Sequence, residues 1–125
     1  MYKRQDLPDI GSFNIYPLWY HDEPADDYTR RITEFMDVAG VKGKPIIFSE
    51  FGAGAVAGYH DPFGRAKWSE ERQSDILDQQ LRAIMGMKRV SGAYIWQFAD
   101  VRVAEEWAYS RPKTCLLYTS PSPRD

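Results

Sequence analysis

Along the chain the apolar residues change from short runs to helical stripes and back, and each change marks an element. Gly11 to Tyr16 mixes β-branched and aromatic residues and stops at Pro17, which predicts a short strand entering a loop. From Pro24 onward, Tyr28, Ile32, Phe35, Met36 and Ala39 stripe one face of an amphipathic helix. Asp26 and Asp27 suit its positive N-terminus, and Gly40 and Gly43 supply the residues expected where it stops. Pro45 to Phe51 is an apolar run interrupted by the carboxylate of Glu50 and followed by Gly52-Ala53-Gly54-Ala55, a pattern that predicts a buried strand with a polar C-terminal end. Ser69 is placed to N-cap a second helix, with Glu70 and Glu71 in its first turn. Leu77, Leu81, Ile84 and Met85 form its predicted buried stripe, and Lys88 and Arg89 its closing charges. Gly92 to Phe98 is strand-like again and runs into Asp100 and Arg102.

Strand, helix, strand, helix, strand is a βαβ pattern, and near-continuous apolar strands imply a parallel sheet. Three strands fit a barrel or a doubly wound sheet equally well, and no phosphate-binding glycine fingerprint marks a nucleotide fold. In both architectures function sits at the C-terminal ends of the strands, so Asn14, Tyr16, Glu50, Trp96 and Asp100 are expected on one edge. A barrel needs eight strands, so this stretch on its own would leave sheet edges unpaired and favour aggregation.

Composition narrows the function classes. With 16 Lys+Arg against 18 Asp+Glu the formal charge is −2, which leaves no electrostatic footprint for nucleic acid. No run approaches the roughly 20 apolar residues that cross a bilayer. Met1-Tyr2-Lys3-Arg4-Gln5-Asp6 lacks the apolar core of a signal peptide, so the chain reads as cytoplasmic unless an export signal lies upstream. The single cysteine, Cys115, gives neither a disulfide nor a metal-ligand spacing. It falls in residues 115–125, a Ser/Pro tail that resembles one reading frame of a sequencing adapter. That tail is expected to be a disordered artefact, and residues 1–114 the natural domain.

Glu50 is the strongest chemical candidate, because a carboxylate where a buried strand opens into a glycine-rich loop is held rigidly yet faces a cleft. A loop salt bridge is the other use for such a residue. His60 has no second histidine at ligand spacing and reads as a loop anchor. Glu70 and Glu71, adjacent on a helix, point in different directions and read as capping charges rather than a catalytic pair. Arg102, Glu105 and Glu106 read as mutually paired surface charges, and Asp100 as structural or substrate-binding.

Several segments share motifs with one known family. Ser49-Glu50-Phe51-Gly52-Ala53 with Ala57-Gly58-Tyr59-His60 resembles the nucleophile motif of glycoside hydrolase family 2, above all its β-glucuronidases. Trp68-Ser69-Glu70-Glu71 and Ile95-Trp96-Gln97-Phe98-Ala99-Asp100 resemble further motifs in the same order, and Asn14-Ile15-Tyr16-Pro17-Leu18-Trp19-Tyr20 resembles the family's Asn-x-Tyr-x-x-Trp-Tyr segment. The resemblance covers about residues 9 to 114.

It implies an α/β fold: part of a (β/α)8 TIM barrel, its last three strands with their intervening helices. It also implies a retaining β-glycosidase in which Glu50 is the nucleophile and a second carboxyl group, about 5–5.5 Å away, protonates the leaving oxygen. The family's acid/base glutamate follows an asparagine, but the only asparagine here is Asn14, followed by Ile15, so this partner is absent and the chain alone is expected to be inactive. Tyr16 is implied as a hydrogen-bond donor to Glu50, Trp96 as a ring for a sugar face, and Asn14 and Tyr20 as further pocket residues. Tyr16 could equally be an aromatic cap, and Trp96 a structural indole. The implied chemistry uses no cofactor and no metal; the implied partner is a β-glycoside substrate, with homo-oligomerisation open to the longer protein. The sugar-carboxylate motif Asn-x-Lys is not matched by Arg111-Pro112-Lys113-Thr114, so a β-galactosidase of the same family and a noncatalytic carbohydrate-binding domain stay open.

Overall fold

A computed structural model describes residues 8–97. Asp100, Arg102, Glu105, Glu106 and the tail 115–125 lie outside the described residues. The element order is β1 (Gly11–Asn14), α1 (Ala25–Met36), a wide π-type turn (Asp37–Val41), β2 (Ile46–Phe51), α2 (Glu70–Met85) and β3 (Val90–Ile95). The three strands form one parallel sheet in the order β1-β2-β3, as the alternating pattern implies. No helix among the described residues is long and apolar enough to cross a membrane.

Both helices pack on one face of the sheet. Ile32 and Met36 from α1 and Ile84 from α2 share a buried cluster with Ile15, Ile46, Phe48 and Phe51. Helix α1 ends where expected, since Gly40 takes φ 100°, a conformation that costs glycine no Cβ clash. At the other end of the sheet Arg89 is fixed rather than free: its guanidinium donates to the carbonyls of Val41 and Lys44 and to Asp37. It lies in the turn after α2 and ties the entry to β2, not the helix C-terminus for which its charge is expected.

Three further local expectations change. Helix α2 buries Gln73, Ile76, Gln80, Ala83 and Ile84, whereas Leu81 and Met85 face outward and Leu77 is only partly covered. Counting apolar residues rotates the stripe, because two of the inward residues are polar amides that reach backbone carbonyls. Phe35 of α1 is half exposed and packs edge to face with Phe13, ring centroids 6.3 Å apart. Strand β3 ends at Ile95, so Trp96 begins the loop instead of closing the strand.

Towards its C-terminal end strand β2 carries an extra residue relative to both neighbours, after β3 has carried one of its own between Val90 and Gly92. Phe13 pairs with Phe48 but Asn14 pairs with Glu50, and Phe48 pairs with Ala93 while Phe51 pairs with Ile95. This bulge lets Phe48 and Phe51, three positions apart, both enter the helix-side core, which a regular two-residue repeat forbids. Ser49 and Glu50 are left together on the opposite face.

Candidate functional site

The C-terminal end of the sheet gathers the candidate side chains. Glu50 lies inside the bulge at the end of β2, and Tyr16 just beyond β1 donates its phenolic O–H to Glu50 Oε2 at 2.8 Å. Beside them Ser49 Oγ donates to Asn14 Oδ1 at 2.6 Å, linking the last residue of β1 to the bulge. Sequence reasoning missed Ser49, because in a regular strand it would point away from Glu50; only the bulge puts the two side by side.

Tyr16 is held by a second apolar cluster that caps this end, made of Trp19, Ala53 and Ile76 with Tyr16, Leu18 and Trp68 against it. Trp19 and Trp68 meet edge to face at 4.7 Å. The Lys67 ammonium lies 4.4 Å from the Trp19 ring centroid and donates to the Trp19 carbonyl, closing the cluster with a cation–π contact. Tyr20 is largely exposed and contacts Tyr16 edge-on at 5.3 Å. Trp96 is at the same end: its backbone N–H donates to the Phe51 carbonyl at 2.8 Å, and the residue is 43% exposed. The Trp96–Gln97 peptide is cis. A Cβ on Gly52 would sit 2.7 Å from the Trp96 carbonyl oxygen, so the exit of β2 passes too close to β3 for any side chain.

The loop that follows is organised by the start of α2. Ser69 caps the helix by accepting from the Arg72 N–H, as its position suggests. Glu70 and Glu71 act outward as well as on the helix dipole, accepting from the backbone N–H groups of Gly58 and Asp61. His60 lies between them, with Nδ1 3.0 Å from Glu71 and Nε2 3.6 Å from Glu70. The Glu71 hydrogen bond, then the Glu70 charge, raise the His60 pKa above its usual 6.5. The Asp61 N–H, then its own amide and His60, lower that of Glu71. His60 thus anchors a loop. Among the described residues no group of three or more His, Cys, Asp and Glu could hold a metal ion.

An interior strand has brought a carboxylate to the sheet's C-terminal rim, with a phenol bonded to it and amide, hydroxyl and aromatic groups around it. Such a set can orient an anion against an uncharged, hydroxylated ligand. No protein-family model matches the chain. It is 39% identical over 98 residues to the β-glucuronidase of Canis lupus familiaris, which takes in 74% of this chain and 15% of that protein. Among solved structures, a glycoside hydrolase family 2 β-galacturonidase from Eisenbergiella tayi bound to galacturonate superposes with a TM-score of 0.80 at 46% identity, covering 85% of this chain and 19% of that one. The β-glucuronidase of Ruminococcus gnavus superposes with a TM-score of 0.65 at 29% identity, covering 78% of this chain and 17% of that one. The chain therefore spans about 15% of the length of the curated relatives it matches. A parallel α/β sheet with a carboxylate at the C-terminal ends of its strands is the arrangement of a catalytic or ligand-binding α/β domain. Within that class, the chain belongs to glycoside hydrolase family 2, in its β-glucuronidase-like branch.

Proposed function

We propose that this chain supplies the nucleophile and part of the sugar pocket of a retaining β-glycosidase, as the last three strands of a (β/α)8 barrel. Three features support the barrel: consecutive strands pair in order, both helices cover one face, and the polar rim residues Asn14, Ser49 and Glu50 sit on the other. The observation that carries the catalytic reading is the bond from Tyr16 to Glu50 at the strand's end.

In this mechanism a Glu50 oxygen attacks the anomeric carbon as the glycosidic bond breaks, giving a glycosyl ester. The departing oxygen takes its proton from a second carboxylic acid, supplied by a part of the longer protein outside this chain. Water then hydrolyses the ester and releases the sugar with retained configuration. Tyr16 fixes the rotation of the Glu50 carboxylate, so that little orientational freedom is lost on attack. Asn14 and Tyr20 bond sugar hydroxyls, and the exposed Trp96 ring packs on a sugar face.

The substrate class is a β-linked uronide. Proteins named β-glucuronidase and β-galacturonidase both resemble the chain, and glucuronate and galacturonate share a carboxylate and differ at one hydroxyl. The test is covalent labelling of the full-length protein with 2-fluoro-glucuronyl and 2-fluoro-galacturonyl fluorides, followed by peptide mass spectrometry. Attachment at Glu50 is expected. Turnover with the label on another carboxylate overturns the assignment, and reversible sugar binding with no label points to a noncatalytic domain.

A further inference from the structure

Gln80 is fully buried on the inner face of α2, far from either end of the helix. Its Nε2 donates to the Pro17 carbonyl at 2.8 Å and to the Gly52 carbonyl at 3.3 Å. Pro17 follows Tyr16 directly, and Gly52 lies two residues after Glu50. One side-chain amide thus joins the two backbone segments whose side chains meet in the Tyr16–Glu50 bond. Gln73, two helical turns earlier on the same face, adds a bond to the Ala53 carbonyl at 2.8 Å.

The Gln80 Oε1 has no hydrogen-bond partner among the described residues, although it is buried. Leaving a buried acceptor unpaired costs free energy, and a methionine of similar volume would avoid that cost. It would also leave the Pro17 and Gly52 carbonyls without this donor. What the amide provides that a hydrocarbon cannot is directional: it fixes the spacing of the two rim segments. A Cβ on Gly52 would also meet the Trp96 carbonyl oxygen at 2.7 Å, so this segment runs close to the residue that follows β3.

We infer that Gln80 is a positioning residue for the reaction, setting the Tyr16–Glu50 geometry through the backbone of the two segments it bridges. The inference rests on Glu50 being the nucleophile, and its experiment separates the two questions. In the full-length protein, Q80M is expected to lower kcat and the rate of fluoro-sugar labelling about tenfold with KM within about twofold, because ground-state binding is untouched. In a Y16F background the same change is expected to cost about twofold or less, because the bond it tunes is already gone.

Q80M that keeps wild-type kcat, or that costs as much with Phe at position 16 as with Tyr, overturns the inference. Should Q80M fail to fold, Q80E serves instead. A buried carboxyl donates to a carbonyl only while protonated, so its kcat relative to wild type is expected to fall as pH rises through the carboxyl titration. A ratio that stays flat overturns the inference. Wild-type turnover without label at Glu50 overturns the nucleophile assignment and this inference together, whereas normal labelling of both wild type and Q80M overturns only the latter.

Discussion

On the helix side of the sheet, Ile15, Ile46, Phe48 and Phe51 are buried among Ile32, Met36 and Ile84. The opposite side, one residue away along the same strands, presents Ser12, Asn14, Ser49 and Glu50, none of them fully buried. The first face is held by volume, where each side chain fits a space and a changed shape is felt as lost packing. The second is held by direction, where what matters is which atom points at which. Substitutions on the two faces should therefore separate stability from chemistry.

The largest expected effect is E50Q in the full-length protein, which should lower kcat by about 10³-fold or more while leaving unfolding free energy within about 1 kcal/mol of wild type. Steady-state kinetics and urea titration check this; a large loss of stability would break the division between faces. Next comes F48A, where removing a fully buried ring should destabilise by about 3–5 kcal/mol, read from the shift in denaturation midpoint. The protein that remains folded should still label at Glu50. Y16F should lower kcat about tenfold, the worth of one hydrogen bond to a charged group, with little change in melting temperature.

The smallest effect concerns the loop after β2, where direction also rules. The raised His60 pKa means that its bonds to Glu71 and Glu70 contribute fully below about 6.5 and are lost as pH rises through the raised value. The lowered Glu71 pKa means that its contribution is full above 4.5 and is lost as pH falls through the lowered value. The loop should therefore be best held between those limits. Hydrogen exchange of the Asp61 amide, corrected for intrinsic pH dependence, should show greatest protection there and weaken on both sides.

Much of this arrangement is legible in the residues. Element order follows from periodicity, the Ser69 cap and the Gly40 stop follow from local chemistry, and the gathering of Asn14, Tyr16, Glu50 and Trp96 at one end follows from where polar residues close each strand. What is hidden depends on tertiary partners. The inward face of α2 is misread because Gln73 and Gln80 look like surface residues until the carbonyls they reach are known. Seven residues apart, they share one helix face, and that spacing is the available clue. Arg89 is misread for the same reason, since its carbonyl acceptors come from elsewhere in the chain. The β2 bulge has no composition of its own and shows only in the pairing with β1 and β3.

That bulge makes the position of Glu50 depend on a count as well as on a residue type. Loss of the Ser49 codon would bring Phe48 and Phe51 two positions apart, so that a regular pleat would keep both under the helices and Glu50 on the cleft side. What would go is the Ser49 hydroxyl and its bond to Asn14, the link between β1 and the bulge, with every other amino acid unchanged. A regular pleat imposed at full length is the harsher change, since Phe48 and Phe51, three positions apart, would then face opposite sides of the sheet.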